Sequence, residues 1–380
     1  MLENKLSWVE ISSSALLHNL QTFKQLARKS KLMSVVKANA YGHGMLEVAK
    51  ITSSISDYFA TFSAEEALSL RHSGVSNPIL VLGPTSMQYY EALANNNIRI
   101  TCASKEAVQA LLDYKKDRKI YVHVKVETGT YRQGLIEDDL KDLMKLQNKN
   151  NVVLEGLYTH YCDIEDTTDH SFAMSQLDRF KFYSDKLSPF DISYKHTACS
   201  AAAILYKSTY FEMIRVGISS YGLWPSKETF VSEREKLKSV ENTSSVELRE
   251  VMTWKSIVAQ IKKLPINTTV GYGRTYKSTR DMNIAIIPVG YANGYNRALS
   301  NNAYVLINGR RANVCGRVMM NMIIVDVTDI IDVKVGDEVV LLGKQNDEQI
   351  SADKLATLSN TINYEIVTRI EPGQKRYLVK

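Results

Sequence analysis

Residues 31–219 alternate between short apolar runs and longer stretches with helical periodicity, and this alternation limits the fold more than any other feature. Because strands separated by helices pair in parallel, eight such units predict a closed (β/α)8 barrel of the TIM type. The alternative is an open doubly wound sheet, which favours a GxGxxG fingerprint after its first strand, and the sequence has none there. The predicted strands are Met33–Ala38, Tyr58–Phe62, Ile79–Leu82, Ile98–Cys102, Ile120–Val126, Leu154–His160, Ser193–His196 and Met213–Ser219, and the predicted helices are Gly44–Ile55, Ala64–His72, Met87–Ala94, Lys105–Lys115, Glu137–Gln147, Ser171–Leu187 and Ala201–Tyr206.

The pattern changes after residue 226. Lys227–Glu250 is polar and charged and predicts a linker or mobile loop. Beyond Met252, short β-type runs are punctuated by Gly, Asn-Gly and Pro, and Ser351–Leu358 is the one clear helix. The sequence therefore predicts a barrel over residues 1–235, whose first strand is able to join the next domain. A linker over 236–250 and a mainly β domain over 251–380 follow.

The composition is that of an ordinary globular protein and argues against several functions. Of the 380 residues, 44% are hydrophobic and 23% are charged, and the formal charge of +6 is not gathered in a basic stripe, so we expect no nucleic-acid partner. The N-terminal residues lack the apolar segment of a signal peptide, and no run is long and apolar enough to span a membrane. The four cysteines have no metal-ligand spacing, which favours reduced thiols, no metal site and a cytoplasmic location.

One lysine stands out because an apolar run delivers it to the end of the first predicted strand. Lys37 follows Met33, Val35 and Val36 and precedes a Gly-rich turn. A lysine at a strand end usually extends its amine into solvent. Here the neighbours are small or apolar, and desolvation lowers a lysine pKa and provides the free amine that Schiff-base chemistry needs.

Other polar residues fall near the carboxyl ends of the predicted strands, where barrel enzymes place their chemistry. Each alone has an ordinary explanation, such as a hydrogen-bonded histidine or a helix cap. An arginine between two apolar residues is less ordinary, because a buried charge must be paired. Their joint placement on one face favours a functional site. These residues are Lys125, Arg132, His160, His196, Ser200 and Arg215, and Gly217 follows just beyond the last of them.

The local chemistry of this face indicates a phosphate site. Ser200 at a helix start offers a hydroxyl and backbone donors, and Gly217 lets the backbone approach an anion closely. Tyr41 and Tyr364 can add phenol donors. A Schiff-base lysine and a phosphate cradle at neighbouring strand ends together predict pyridoxal 5′-phosphate as the cofactor.

Ten stretches of the chain resemble alanine racemase, the fold-type III family of pyridoxal-phosphate enzymes. They cover both predicted domains and occur in the family's order. The stretches are VVKANAYGHG (35–44), KVETGTYRQG (125–134), LYTHY (157–161), QLDRF (176–180), HTACSAA (196–202), IRVGISSYGLWPS (214–226), VGYGRTY (270–276), IPVGYANGY (287–295), INGRRANVCGRVMMN (307–321) and INYEIVTRI (362–370).

The resemblance implies a racemase with two proton carriers in a head-to-tail homodimer. Lys37 would hold the cofactor and exchange the proton of D-alanine, and Tyr272 of the partner subunit would exchange that of L-alanine. Two carriers are needed because inversion removes a proton from one face of Cα and returns it to the other. His160 and Arg215 would lower the pKa of Tyr272, and Arg215 would also face the pyridine nitrogen.

The resemblance also implies further contacts and a role for the product, D-alanine, in peptidoglycan synthesis. Cofactor contacts would come from Tyr41, Leu82, Ser200, Gly217, Ile218 and Tyr364, substrate contacts from Arg132 and Met320, and an access corridor from Tyr291 and Arg317, while Lys125 matches a lysine that is often carbamylated.

Several residues depart from the family's pattern. Asn321 stands where aspartate is usual, Cys199 where asparagine is usual, and Tyr131 adds bulk beside Arg132. These changes leave the cofactor residues and both proton carriers intact but affect the surroundings of the substrate. Alanine is therefore the first expected substrate, and serine or a broader range is the alternative.

Two other functions of the same fold type are less well supported. A decarboxylase acting on a basic amino acid would have a Gly-rich phosphate run and lack the VGYG tyrosine, whereas this chain has Tyr272 and lacks the run. A non-catalytic pyridoxal-phosphate carrier would end after the barrel, whereas here a full β domain follows.

Overall fold

The structure, a computed structural model, describes residues 6–239 and 245–380. Contacts between residues divide the chain into two units. We call Ala15–Ala40 and Val48–Arg249 the barrel unit, and Met1–Ser14, Tyr41–Glu47 and Glu250–Lys380 the β unit. Within the described residues, no helix has the length and apolarity that crossing a bilayer requires.

The barrel unit contains an eight-stranded parallel sheet, as the alternation of the sequence predicts. Its two terminal strands in hydrogen-bonding order are Tyr194–His196 and Met213–Val216, and the Arg215 N–H donates to the Ala198 carbonyl at 3.0 Å just beyond the first of these, so the sheet is nearly closed. The full order is Tyr194–His196, Val152–Tyr158, Ile120–Lys125, Ile98–Cys102, Ile79–Val81, Tyr58–Thr61, Lys31–Val35 and Met213–Val216.

Burial explains why these strands are nearly continuous apolar runs. Every residue of Tyr58–Thr61, Ile79–Val81 and Ile98–Cys102 is buried. A parallel barrel strand has one face in the interior and the other under the helices, so neither face selects for polar residues. The α-helices within residues 13–239 are Ser13–Leu26, Met45–Thr52, Ala64–His72, Tyr90–Asn95, Lys105–Asp113, Leu140–Leu143, Ser171–Lys186, Ser200–Leu205 and Lys227–Ser239.

The β unit is built mainly from antiparallel pairs. The N-terminal strand Ser7–Ser12 lies between Met252–Ile257, to which it is antiparallel, and Arg376–Val379, to which it is parallel. The remaining strands are Gln260–Leu264, Thr269–Val270, Tyr276–Lys277, Met282–Ile287, Tyr304–Ile307, Arg310–Asn313, Ile323–Asp326, Glu338–Gln345 and Glu348–Ile350, and the α-helices beyond residue 250 are Ala352–Ser359 and Asn363–Thr368.

The prediction of a linker or loop over Lys227–Glu250 is wrong for its first half, because Lys227–Ser239 is a helix. The Ser226 hydroxyl caps it by accepting from the Thr229 N–H at 2.9 Å. Thr229 and Glu233, one turn apart, are its buried contacts, and the Glu233 carboxylate accepts from the Val246 N–H at 2.9 Å. Since polar side chains anchor this helix, its sequence has no apolar periodicity. Residues 240–244 of the predicted linker lie outside the described part of the chain.

Candidate active site

The carboxyl ends of the barrel strands bring together several cationic side chains predicted from the sequence. Lys125 ends its strand and is 3% exposed, and its amine lies 5.8 Å from the centre of the Tyr158 ring. Burial, followed by the Arg132 and Arg215 guanidinium groups, lowers the pKa of Lys125 to about 7. The pKa of Lys37 is also lowered, mainly by burial and then by Arg132. Because these lysine and arginine side chains repel one another, binding of an anion among them is favourable.

His160 follows its strand by two residues and faces the same cations. Burial lowers its pKa well below the ordinary value, and Arg215, Arg132, Lys125 and Lys37 lower it further. An imidazole surrounded by positive charge stays neutral, so one ring nitrogen keeps a lone pair that can accept a proton or hydrogen bond.

The backbone after Lys37 has an unusual conformation. Ala38, Asn39, Ala40 and Tyr41 all have φ between 51° and 54°, which is the left-handed helical region. The Ala38 N–H donates to Glu66 at 2.8 Å, and the Ala40 N–H donates to the Val36 carbonyl at 2.8 Å.

Each alanine in this turn costs on the order of 1–2 kcal/mol relative to a right-handed conformation. Strain of this kind persists where the surrounding structure fixes the chain, as at functional sites. The predicted first strand runs to Ala38, whereas the observed strand ends at Val35 and Lys37 lies two residues beyond it. The sequence predicts a turn after Ala38 but does not reveal that the turn is left-handed.

We expect Ala38→Gly to leave the free energy of unfolding unchanged or to raise it by up to about 1 kcal/mol, because glycine adopts positive φ without strain. Ala110→Gly is the matched control. Ala110 lies inside the right-handed helix Lys105–Asp113, where the same change should lower stability by about 1 kcal/mol. Urea unfolding of both variants checks this, and equal losses would contradict the strain argument.

Arg215 is buried in Met213–Val216 with almost all its donors engaged. Its Nη1 donates to the carbonyl and to Nδ1 of His196, at 2.8 and 2.9 Å. Its Nη2 donates to the carbonyls of Thr159 and Thr197, at 2.7 and 3.0 Å. A guanidinium has five N–H groups, so only Nε–H lacks an acceptor among the described residues.

We call the carboxyl ends of the barrel strands, with the residues just beyond them, the rim. A second group of residues at the rim has the features of an anion site. Ser200 begins the helix Ser200–Leu205, and its hydroxyl accepts from the Gly217 N–H at 3.1 Å. Ile218 follows in a buried 3-10 turn. Leu82 lies beyond another strand end, where its carbonyl accepts from the Gln133 side chain at 3.0 Å.

Two tyrosines predicted to hold the phosphate lie in the β unit. Tyr41 and Tyr364 have ring centroids 6.1 Å apart. Gly42, next to Tyr41, lies very close to Val367. A Cβ on Gly42 would lie 2.0 Å from the Val367 carbonyl oxygen. Glycine is therefore required at position 42 for this approach.

Tyr272 lies on an exposed turn of the β unit, with 71% of its surface accessible. Gly271 and Gly273, with φ of 73° and 71°, flank it. A Cβ on Gly273 would lie 3.1 Å from the Arg317 guanidinium carbon, so this turn packs against Arg317. Two glycines thus present the phenol at the surface.

Met320 and Tyr291 form another exposed segment of the β unit. They are 57% and 43% exposed, and the Tyr291 N–H donates to the Met319 carbonyl at 3.0 Å. A Cβ on Gly290 would lie 2.1 Å from that carbonyl, so the two loops require glycine there. Asn321, the departure from the family's aspartate, donates weakly to Asn293 at 3.4 Å.

Family models match both parts of the chain. The model of the alanine racemase N-terminal domain matches residues 11–225, and that of the alanine racemase C-terminal domain matches residues 251–378. The chain belongs to the alanine racemase family. The resemblance found in the sequence and the predicted fold class are thus confirmed.

Individual relatives agree with this assignment over nearly their whole lengths. An alanine racemase of Halothermothrix orenii is 40% identical over 371 residues, which are 96% of this chain and 94% of the relative. The structure of an alanine racemase from Clostridium difficile has a TM-score of 0.89 and 34% identity, covering 99% of this chain and 96% of that one. The alanine racemase from Bacillus anthracis with bound L-Ala-P has a TM-score of 0.90 and 32% identity, covering 100% and 96%.

Two polar residues beneath the rim were not among the predicted site residues. His123 and Glu155 lie inside strands, where a polar residue suggests only an exposed face. A glycine in the middle of Val152–Tyr158 is the one signal in the sequence, since such a residue often marks a close approach.

Proposed function

We propose that this chain is a pyridoxal-phosphate-dependent alanine racemase and interconverts L- and D-alanine. The observation that carries the proposal is the arrangement at the barrel rim. There Lys37, with a lowered pKa, shares one cationic rim with Arg215, whose Nε–H is the one donor without an acceptor in the described part of the chain.

The residues of the rim fit the cofactor. An anionic phosphate suits Ser200, Gly217 and Ile218, where backbone and hydroxyl groups already meet. Tyr41 and Tyr364 would add phenol donors, and Leu82 would pack beside the ring. The Lys37 amine would bind the aldehyde, since its lowered pKa favours the nucleophilic form. When bound, the cofactor supplies an electron sink for the charge left on Cα.

Arg215 would direct its Nε–H at the pyridine nitrogen. The four Nη hydrogens are already donated to protein acceptors, so the orientation of the guanidinium is fixed. An arginine does not give up its proton at working pH, so it donates a hydrogen bond without protonating the ring. That arrangement limits electron withdrawal and favours return of a proton to Cα over transamination.

Two side chains would move the proton at Cα. Lys37 takes and returns it on one face, and Tyr272 of the partner subunit does so on the other. The exposure of Tyr272 and Met320 supports the partner's role, because proton transfer needs a site from which water is excluded. We propose a head-to-tail homodimer in which His160 and Arg215 lie near this phenol.

The substrate carboxylate would be bound by Arg132 and the Met320 backbone. Tyr291 and Arg317 would line the access corridor beside them. Lys125 is proposed to be carbamylated, its amine reacting with CO2 to form an N-carboxylate and releasing one proton. The new carboxylate would lie near the Arg132 and Arg215 guanidinium groups and attract them, whereas the unmodified amine is repelled by them. D-alanine made in the cytoplasm would supply peptidoglycan synthesis.

The assignment of the two proton carriers predicts complementation between inactive variants. Lys37→Ala and Tyr272→Phe should each lose about 10²–10⁴-fold in racemisation, as expected for loss of an acid–base group. When equal amounts are unfolded and refolded together, half the dimers are hybrids with one intact site of two. Activity should then recover to about a quarter of the native level.

The controls separate an intersubunit site from a site within one chain. Tyr276→Phe removes a neighbouring phenol that bonds to the sulfur of Met282 and should keep full activity. Borohydride should fix the yellow cofactor to Lys37 in native protein and in Tyr272→Phe, as read by peptide mass. If the mixed variants stay inactive although both bind cofactor and form hybrids, Tyr272 does not act across the dimer.

The pKa of Lys125 predicts carbamylation near neutral pH. At an ordinary lysine pKa of about 10.4, roughly one amine in a thousand is neutral at pH 7.4, whereas at a pKa of about 7 most are neutral. With 13C-bicarbonate, a carbamate carbon signal should therefore grow as pH rises through about 7 and fade below it. Lys125→Met, which cannot react, assigns the signal. Its persistence in that variant would place the carbamate elsewhere.

Substrate choice is tested by a panel of single L-amino acids assayed for the D-enantiomer. We expect alanine to have the highest kcat/KM, with serine next because it adds only a hydroxyl. Asn321→Asp restores the family's carboxylate and should change the alanine-to-serine ratio if this residue faces the substrate. A native preference for serine would overturn the substrate assignment while leaving the racemase assignment intact.

A further inference from the structure

Side chains from five strands are hydrogen-bonded in series through the barrel interior, beneath the rim. Arg215 Nη1 lies 2.9 Å from His196 Nδ1, and His196 Nε2 lies 2.8 Å from His123 Nδ1. His123 Nε2 lies 3.1 Å from Glu155, whose carboxylate is held by Arg99 at 2.9 and 3.0 Å. We call Arg215, His196, His123 and Glu155 the barrel relay.

The donor-only chemistry of arginine fixes every hydrogen in the barrel relay. Because Arg215 can only donate, His196 must accept at Nδ1 and carry its hydrogen on Nε2. His123 then accepts at Nδ1 and carries its own hydrogen on Nε2, which it donates to Glu155. All three hydrogen bonds therefore run in one direction, from the rim to the carboxylate.

Burial keeps both histidines in the neutral form that this direction requires. Both rings are fully buried. The pKa of His196 is lowered well below its ordinary value by burial and then by Arg215. The pKa of His123 is lowered by burial, even though Glu155 opposes the shift.

Two local features build the middle of the barrel relay. The pairing of Ile120–Lys125 with Val152–Tyr158 skips a residue, since Val122 pairs with Leu154 and His123 pairs with Gly156. Glu155 is the extra residue of this bulge, and bulges redirect side chains. Gly156 makes room for the imidazole, because a Cβ there would lie 2.3 Å from His123 Nδ1.

The Glu155 end of the barrel relay is held through Arg99 by Asn97, which precedes the strand Ile98–Cys102. Arg99 Nη1 donates to the carbonyl and side-chain oxygens of Asn97, at 2.8 and 2.9 Å. Its guanidinium carbon lies 4.9 Å from the centre of the Tyr121 ring and 5.7 Å from that of Tyr58. Arg99 therefore compensates the charge of Glu155, while the carboxylate stays hydrogen-bonded to His123.

We propose that His123 and Glu155 are positioning residues for Arg215, acting through His196 to keep the guanidinium in the one orientation that presents Nε–H to the cofactor ring. The inference rests on the proposed contact of Arg215 with the pyridine nitrogen. Removing the acceptor at His123 leaves the buried His196 Nε2–H unpaired. A change of tautomer or a turn of the ring relieves that cost, and either change takes the Nδ1 acceptor away from Arg215.

The first test reads the tautomers directly, without measuring activity. In holoenzyme labelled with 15N-histidine, His196 and His123 should each show a pyridine-like Nδ1 and a pyrrole-like Nε2. His123→Leu should change the His196 pattern, whereas His123→Asn keeps an acceptor near the position of Nδ1 and should preserve it. A protonated Nδ1 on His196 in native protein would overturn the relay.

The second test reads the orientation of Arg215 through reaction specificity. In His123→Leu, kcat should fall about tenfold with KM for alanine nearly unchanged, because Arg132 is not affected. The ratio of pyruvate released to alanine racemised should rise about tenfold, and His123→Asn should restore much of both. Glu155→Gln should change the same ratio in the same direction by removing the anion at the end.

A matched control separates this effect from ordinary destabilisation. Ser56→Ala removes another buried hydrogen bond, to the Ser34 hydroxyl at 2.7 Å, and should lower the melting temperature without changing the pyruvate ratio. If His123→Leu changes stability alone, as Ser56→Ala does, the relay is structural and the proposal is wrong. If Arg215→Lys also leaves the ratio unchanged while the tautomers are as described, the assigned role of Arg215 fails instead.

Discussion

The structure of the rim depends on the burial of one guanidinium. Arg215 carries a positive charge into the barrel, where an N–H group without an acceptor is costly. Three of its four Nη hydrogens are accepted by the carbonyls of Thr159, His196 and Thr197. They lie just beyond or at the ends of two strands, where the backbone leaves the sheet and its carbonyls become free to accept from side chains. The position that suits catalysis in a barrel is thus also the position that can solvate a buried arginine.

The same charge explains the properties of its neighbours. Lys37, Lys125 and His160 each have a lowered pKa, and in each case burial acts together with arginines of the rim. A site with an excess of buried cations is costly until anions enter it. Phosphate, carboxylate and carbamate groups would all lower that cost. The electrostatics that make the lysine amines reactive therefore also favour binding of an anionic cofactor and substrate.

Much of this architecture could be predicted from the sequence, because periodicity and position at strand ends are local signals. Lys125, His160 and Arg215 were found in that way. The left-handed turn of 38–41 could not be, since of its four residues only Asn39 adopts positive φ readily and tertiary contacts impose it on the others. The helix Lys227–Ser239 was missed because polar residues anchor it. His123 and Glu155 were missed because a bulge, which the alternation of residues does not reveal, brings them together.

The exposure of Tyr272 bears on the proposed homodimer. A phenol that carries a proton in catalysis needs surroundings from which water is excluded. Glycines at 271 and 273 nevertheless hold it on a turn with most of its surface accessible, as Met320 also is. In the proposed homodimer, a second copy that covers the turn would exclude water from the phenol and bring it to the cationic rim.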